Sequence, residues 1–176
     1  MTTISYEIPN LARLSQSPVL SIQTPVSFQY YGRVNTTDHD EEMQLIQHIH
    51  NLSALLAQGY RAEFVSPKRL HDDTIQLGWY NYDPQIWDGI EAANMLLGAD
   101  YNYQENVDAV RDKSVSSALP DDLSTWFTWM SRGERFCDGF LAEQISDGGL
   151  YAVVKRLEEL IAAGAVSYPP EPTRKQ

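Results

Sequence analysis

The clearest hydrophobic pattern lies in residues 119–164. From Leu123 to Ile145, apolar residues recur at steps of three and four, which predicts one long amphipathic helix beginning near Pro120. The sequence Asp147-Gly148-Gly149 then predicts a turn, because glycine readily adopts positive φ. A second apolar stripe runs from Leu150 to Ile161. We therefore expect a helical hairpin over residues 120–163 that dominates the packing.

Two glycines, Gly133 and Gly139, interrupt the first predicted helix. Each costs about 1 kcal/mol relative to alanine in a helix interior. Two interpretations remain open: close packing against a neighbouring backbone, or a kink that opens a binding surface. Cys137 lies on the apolar face of the predicted helix, so we expect a small buried hydrophobic residue. As the only cysteine of the chain, it excludes an internal disulfide and a cysteine-based zinc site.

Charged residues cluster between and beside these glycines. Arg135 precedes Asp138 by three residues and can pair with it on a helix, whereas Glu134 and Asp138 form a like-charge pair at a spacing of four. Arg132 is free to reach another element. The cluster predicts either a structural ion-pair network that holds the hairpin to the rest of the domain, or a ligand-binding site.

Three further helices are predicted upstream of the hairpin. The first begins after several N-cap candidates at residues 35–38 and ends at Gly59, and the second has Asp83 as its cap and Pro84 at its first position. A weaker third helix is expected from Gln104 to Ser116. The first helix carries histidines at positions 48 and 50, but this spacing points them in different directions, so we predict no metal site.

Strand patterns are confined to the N-terminal half. Residues 1–33 alternate in short runs preceded by prolines, which indicates edge strands or extended segments. Residues 60–65 and 74–80 predict a β-hairpin around a loop at residues 66–69. We predict an α+β fold with a small antiparallel sheet packed by helices, which becomes mainly α if only this hairpin forms. One domain is expected over residues 1–165, followed by a proline-rich extended tail at 166–176.

The charge distribution limits the partners. The net charge is −11, and Leu70–Val110 contains no Lys or Arg. The eight acids of this window are Asp72, Asp73, Asp83, Asp88, Glu91, Asp100, Glu105 and Asp108. Direct binding to nucleic acid is disfavoured because no basic patch exists there to neutralise phosphates. An acidic face of this kind either maintains solubility or meets a basic partner.

Aromatic residues are interleaved with these acids. They are either ordinary core and rim residues or part of a recognition surface, in which Tyr and Trp anchor the partner and carboxylates receive its Arg or Lys. The candidate binding residues combine this window with the charged cluster. They are Trp79, Tyr80, Tyr82, Asp83, Asp88, Glu91, Tyr101, Tyr103, Arg132, Glu134, Arg135 and Asp138.

The run at residues 132–139 also carries a resemblance. It reads Arg-Gly-Glu-Arg-Phe-Cys-Asp-Gly and is followed by Leu141-Ala142, Gly148 and a helix centred on Leu157. Together these residues resemble the C-terminal region of a bacterial family, the domain of unknown function 6508, over about the last third of the chain. The resemblance implies a helical hairpin and a bacterial or phage origin, and it supplies no activity.

No motif in the sequence predicts a particular enzyme. A phosphate-binding glycine loop, a Gly-x-Ser-x-Gly elbow, His-Glu-x-x-His and Cys-x-x-Cys are all missing from it. We therefore expect a non-catalytic, acidic protein-binding module with no cofactor and a basic protein as partner. A sharper version is an inhibitor that presents carboxylates to a nucleic-acid-binding surface in place of DNA phosphates.

Two alternatives from other functional classes stay open. One is a small hydrolase-type enzyme that uses the 132–138 cluster, with His71 as an outside contributor. The other is a homo-oligomeric structural protein, which would follow if the hairpin exposed Trp126, Trp129 or Phe140. With no signal peptide and no apolar run of about 18 residues, we expect a cytoplasmic protein that binds no membrane.

Overall fold

The structure, a computed structural model, describes residues 38–71, 74–166 and 168. All of these residues belong to one compact unit. The helices are α1 (Asp38–Ala57), α2 (Pro84–Leu97), α3 (Tyr103–Arg111), α4 (Pro120–Phe136), α5 (Phe140–Ser146) and α6 (Gly149–Ala162), with a 3₁₀ turn at Val115–Ser117. The strands are β1 (Glu63–Val65), β2 (Lys68–Arg69), β3 (Ile75–Gln76) and β4 (Trp79–Asn81). The fold is α+β, as predicted.

Some of the predicted elements cannot be compared with the structure. The strands expected in residues 1–33, most of the N-cap candidates at 35–38, and Asp72 and Asp73 lie outside the described residues. The predicted domain of residues 1–165 extends beyond the described part and stays a prediction. Of the predicted tail, Val166 and Tyr168 are described, and both pack half-buried against the core. No helix among the described residues is long and apolar enough to cross a membrane.

Helix α4 is the central element of this unit. It contacts α2, α3, α5 and α6, and its residues Leu123, Phe127 and Met130 are fully buried. The helix begins at Pro120, and the Asp122 carboxylate accepts hydrogen bonds from the Leu119 backbone N–H at 3.0 Å and from Lys113 Nζ at 2.6 Å. Burial alone would raise the pKa of Asp122, but these two partners hold it below its ordinary value.

The predicted long helix over residues 120–147 is wrong, because it divides in two. Helix α4 ends at Phe136, Cys137 has an extended backbone (φ −140°, ψ 96°), and Gly139 adopts φ +89° before α5 begins. Left-handed φ is accessible to glycine at little cost and ends a helix. Cys137 is consequently exposed rather than buried, because the break takes it off the apolar face. We call residues 137–139 the α4–α5 break.

The two glycines have different roles. A Cβ atom on Gly133 would lie 2.5 Å from the Phe140 ring, so Gly133 permits close packing, although against a side chain rather than a backbone. Gly139 supplies the change of direction. Close packing therefore applies to Gly133 and the kink to Gly139, and whether the kink opens a binding surface stays a hypothesis. The predicted helical hairpin consists of three helices, α4, α5 and α6.

Helix α6 closes the unit by packing against α1. The Glu158 carboxylate of α6 contacts His50 Nδ1 at 2.7 Å and accepts hydrogen bonds from Ser53 Oγ at 2.9 Å and Lys155 Nζ at 2.7 Å. Burial would raise the pKa of Glu158, but these hydrogen bonds outweigh it and hold the pKa below its ordinary value. The first and last described helices are thus joined by a charged cluster as well as by their apolar faces.

The predicted β-hairpin is present and longer than expected. Strand β1 pairs with β4 through Phe64 and Tyr80, and β2 pairs with β3 through Lys68 and Gln76. Both pairs share one register, so they form a single antiparallel hairpin with an interruption at residues 66–67 and 77–78. The predicted loop at 66–69 was therefore wrong for its last two residues. At the interruption, Pro67 has no N–H to donate, and a Cβ atom on Gly78 would lie 2.7 Å from the Phe64 ring.

Candidate functional site

A carboxylate connects the two sides of the α4–α5 break. Glu134 Oε1 accepts a hydrogen bond from the Gly139 N–H at 3.1 Å, and Glu134 Oε2 accepts one from the Leu141 N–H at 2.7 Å. The first N–H groups of a helix have no partner within the helix, and negative charge is favoured there. Glu134 therefore caps α5 from the preceding helix and holds the break in one geometry.

A row of aromatic rings leads from the β-hairpin to α2. Phe64 and Tyr80 have ring centroids 5.1 Å apart, Tyr80 and Tyr82 are 6.4 Å apart, and Tyr82 meets Trp87 edge-on at 5.7 Å. The row touches the break, because a Cβ atom on Gly139 would lie 2.5 Å from the Tyr80 ring. The aromatic window predicted from the sequence is therefore partly a packing unit.

A cleft of about 350 Å³ lies where the hairpin meets the break. Tyr80 and Phe140 provide its aromatic lining, and Asp138 and Glu143 provide carboxylates. Exposed Cys137 lies at the same cleft. The cleft thus combines apolar and acidic groups, with no Lys or Arg among its lining residues.

The Tyr82 hydroxyl is buried and has no hydrogen-bond partner of good geometry among the described residues. Burial raises the pKa of Tyr82 far above its ordinary value, and the neighbouring Glu134 carboxylate raises this pKa further. The hydroxyl is thus a neutral group that packs without a good partner.

We expect the substitution Tyr82→Phe to change the free energy of unfolding by less than about 0.5 kcal/mol, or to stabilise the protein, because no good hydrogen bond is lost. Tyr60→Phe is the matched control. The Tyr60 hydroxyl accepts the Asp83 N–H at 2.8 Å, so its loss should cost about 1 kcal/mol. Urea unfolding of both variants measures the difference, and equal losses would contradict this description of Tyr82.

The outward face of α2 carries a different set of residues. Asp88 and Glu91 are exposed on it, and Trp87 and Met95 are 36% and 43% exposed beside them. The opposite face is buried in the core through Ile86 and Ile90. The acidic α2 face, as we call these four outward residues, is therefore a helix surface that combines carboxylates with large apolar groups.

The remaining predicted site residues of the aromatic window are dispersed. Asp83 caps α2, since its Oδ1 accepts the Gln85 N–H at 2.9 Å. Trp79 lies on β4 and is 38% exposed, and Tyr101 lies between α2 and α3 and is 83% exposed. Tyr103 lies under the Arg132 guanidinium at 5.7 Å from its ring centroid. The structure thus brings some of the predicted residues together at the break, on the acidic α2 face and at the α3–α4 contact. Asp83, Trp79 and Tyr101 lie apart from these three places, on separate elements.

The predicted ion-pair network at residues 132–138 is not formed within the described part of the chain. Arg132 stacks on a ring, Glu134 binds backbone N–H groups, and exposed Arg135 has no ion pair there. The physical reason is the break, which removes Asp138 from the helix that carries Arg135. The hydrolase alternative needs these side chains in one pocket, and only Asp138 lines the cleft.

The aromatic residues that motivated the oligomer alternative are half-buried. Trp126 and Trp129 meet edge-on at 5.3 Å, and Trp129 and Phe140 meet edge-on at 4.7 Å. Their rings cover one another, so they do not form the exposed stripe that the alternative requires. The largest exposed aromatic group on α4 is instead Phe136, which is 84% exposed.

Three exposed surface residues, Trp87, Met95 and Phe136, were not among the candidate binding residues selected from the sequence. Trp87, Glu91 and Met95 recur at steps of four, so a helical projection of α2 places them on one face opposite Ile86 and Ile90. That projection was available from the sequence. The exposure of Phe136 could not be predicted from the sequence, because the helical periodicity gave no sign that α4 ends at this residue.

Comparison with known proteins identifies a family and nothing closer. The model of a family of unknown function (DUF6508) matches residues 40–163. The match extends far upstream of the C-terminal third to which the sequence resemblance was confined. No curated protein and no solved structure matches the chain significantly.

Proposed function

We propose that this chain, which belongs to the family of unknown function DUF6508, is a non-catalytic binding module that engages a basic partner protein through its acidic α2 face. The observation that carries the proposal is the pair of exposed carboxylates, Asp88 and Glu91, between exposed Trp87 and Met95. Neither carboxylate has a Lys or Arg partner among the described residues.

Charge supports this assignment. Some exposed acids elsewhere in the unit have cationic neighbours, such as Asp108 with Arg111 at 3.9 Å and Glu159 with Arg156 at 2.9 Å. The acidic α2 face lies within the stretch from Leu70 to Val110 that contains no Lys or Arg. A partner's basic side chain would therefore meet two carboxylates without first displacing an internal cation.

The apolar members of the face would supply most of the affinity. An exposed ion pair contributes only about 0.2–1 kcal/mol, whereas aromatic residues and Met are enriched in interface cores. The carboxylates would then mainly set the association rate and the orientation of the partner. We expect binding that weakens as the salt concentration rises, because salt screens exposed charges.

Inhibition of a nucleic-acid-binding protein is the sharper form of this proposal. It rests on the same carboxylates, which would occupy positions on the partner that DNA phosphates otherwise occupy. In that form the partner binds either the chain or duplex DNA, and the two compete. A partner whose binding to the chain is unaffected by duplex DNA would contradict the inhibitor form and leave the simpler binding module.

The acidic α2 face is tested with a synthetic basic peptide of alternating Arg and Leu, titrated into ¹⁵N-labelled protein. We expect chemical-shift changes concentrated on α2, and about tenfold weaker binding for Asp88→Asn/Glu91→Gln, since two charge contacts are lost. The matched control is Asp40→Asn/Asp112→Asn, which changes the net charge equally at exposed sites on other elements.

Two results would contradict the assignment. Shift changes spread over all acidic helices would indicate nonspecific attraction to a chain of net charge −11. Equal weakening by both double variants would indicate the same. Proteins captured from a bacterial lysate at low salt count as partners only if Asp88→Asn/Glu91→Gln releases them and the control does not.

A further inference from the structure

A second surface, largely apolar and flanked by two arginines, lies between α3 and α4. Here a groove of about 280 Å³ is lined by Tyr103, Gln104 and Val107 of α3 and by Trp129, Gly133 and Phe136 of α4. We call it the α3–α4 groove. Its α4 residues lie at steps of four and three, which aligns them along one side of the helix.

Two guanidinium groups flank this groove. Arg111 lies 5.5 Å from the centroid of the Trp129 ring, and Arg132 lies 5.7 Å from the centroid of the Tyr103 ring. Stacking on a ring holds a guanidinium in place while its N–H groups remain able to donate. Asp108 is the only described carboxylate in an ion pair with either arginine, and it is 90% exposed at 3.9 Å from Arg111. Such a solvent-exposed ion pair contributes little to stability, so it holds Arg111 only weakly.

Phe136 forms the open end of the groove. It is 84% exposed, although it is a large apolar side chain that lines the groove next to the buried core of α4. Burying an aromatic side chain of this size is favourable by about 1.5–3 kcal/mol. A partner that covers Phe136 would therefore gain apolar contact together with two positioned cations.

We propose that the α3–α4 groove binds an acidic peptide segment of a partner protein, which places one aromatic side chain between Trp129 and Phe136 and its carboxylates on Arg111 and Arg132. The two flanking arginines favour a negatively charged partner, because guanidinium groups held on rings can donate hydrogen bonds to its carboxylates. The groove volume of about 280 Å³ leaves room for one aromatic side chain. This inference does not depend on the acidic α2 face.

The test measures fluorescence anisotropy of a labelled peptide, acetyl-Glu-Asp-Phe-Asp-Glu-amide, titrated with the full chain. We expect saturable binding with a Kd below about 1 mM. Arg111→Gln/Arg132→Gln and, separately, Phe136→Ala should each weaken it about tenfold or more. Phe136 is exposed, so its truncation leaves folding largely intact, which urea unfolding verifies.

Arg135→Gln is the control, because exposed Arg135 of α4 neither lines the groove nor stacks, within the described residues, on a ring that lines it. It should change the Kd by less than about twofold. Absence of binding, equal binding of a peptide with Lys in place of Glu and Asp, or an equal effect of Arg135→Gln would each overturn the proposal. Sedimentation tests whether a second copy of the chain occupies the groove instead. Self-association that Phe136→Ala abolishes would assign the groove to a second copy and overturn the proposal of an acidic peptide.

Discussion

Replacing Glu134 by alanine is expected to destabilise the protein by about 2–4 kcal/mol. The substitution removes two charge-assisted hydrogen bonds, to the N–H groups of Gly139 and Leu141. Hydrogen bonds to charged groups contribute about 1.5–3 kcal/mol each, and a partly buried donor left unpaired adds a penalty. This loss of stability should appear first in the α4–α5 break. Among the described residues, Glu134 is the only carboxylate that links the Gly139 and Leu141 N–H groups to α4.

The measurement is urea unfolding combined with hydrogen exchange of the α5 amides. Glu134→Gln should lose about half as much stability. The amide oxygen of Gln can accept a hydrogen bond from one of the two N–H groups, but its NH₂ group would face the other N–H and cannot accept from it. Arg135→Ala, one residue along on the exposed side of α4, should change the free energy by less than about 0.5 kcal/mol. A Glu134→Ala variant as stable as Arg135→Ala would show that the cap contributes nothing.

Loss of the Asp100 carboxylate is expected to have the second large effect. Asp100 joins α2, α3 and α4: its Oδ1 accepts the Asn102 N–H at 2.8 Å, and its Oδ2 accepts Asn106 Nδ2 at 3.0 Å and Thr125 Oγ1 at 2.7 Å. Thr125 is buried, so the substitution Asp100→Ala leaves a buried hydroxyl with a weaker set of partners. We expect a loss of about 2–3 kcal/mol in urea unfolding at pH 7.

The same carboxylate makes stability depend on pH. Burial would raise the pKa of Asp100, but hydrogen bonds from Asn106, Thr125 and Asn102 outweigh it and hold the pKa below its ordinary value. A lowered pKa means that the unfolded chain binds the proton more readily. The stabilisation is therefore complete above the unfolded pKa of about 3.9 and is lost as the pH falls through the folded pKa.

We expect the stability difference between the native chain and Asp100→Asn to stay constant above about pH 5 and to shrink as the pH falls from there through the unfolded pKa of about 3.9 towards the lower folded pKa. Asp88→Asn is the control, because Asp88 is exposed and its removal should give a small difference at every pH. A difference for Asp100→Asn that stays constant over this range would mean that the carboxylate is not held by these three hydrogen bonds.

Helix α2 was well predicted because its signals are local, whereas the helix expected from Gln104 to Ser116 ends earlier, at Arg111. Asp83 and Pro84 begin α2 through a side-chain cap and a fixed φ, both of which the sequence states directly. The break at Gly139 could not be located in the same way. Whether a glycine inside an apolar pattern packs closely or ends the helix depends on its neighbours in space, here the Phe140 ring for Gly133 and the Tyr80 ring for Gly139.

The acidic window shows why charge counting alone overestimates the number of exposed carboxylates that share one surface. Asp83 and Asp100 were counted with the exposed acids, yet the structure uses one as a helix cap and the other as a junction between helices. Asp88 and Glu91 are the members that retain exposed carboxylates on one helix face beside large apolar groups. The charge count shows that the window is acidic, and the packing of α2 on the core shows which of its acids lie on an exposed helix face.

The contact between α1 and α6 has a consequence for the order of assembly. Ser53 and its partner Glu158 are separated by 105 residues, whereas α1 meets α2 across residues 58–83, which contain the β-hairpin. A chain that folds while it is being synthesised can form the α1–α2 pair early, but α1 keeps part of its surface uncovered until α6 has emerged. Completion of α6 is therefore the step that seals this unit, and a nascent chain paused before it would expose apolar surface to chaperones and proteases.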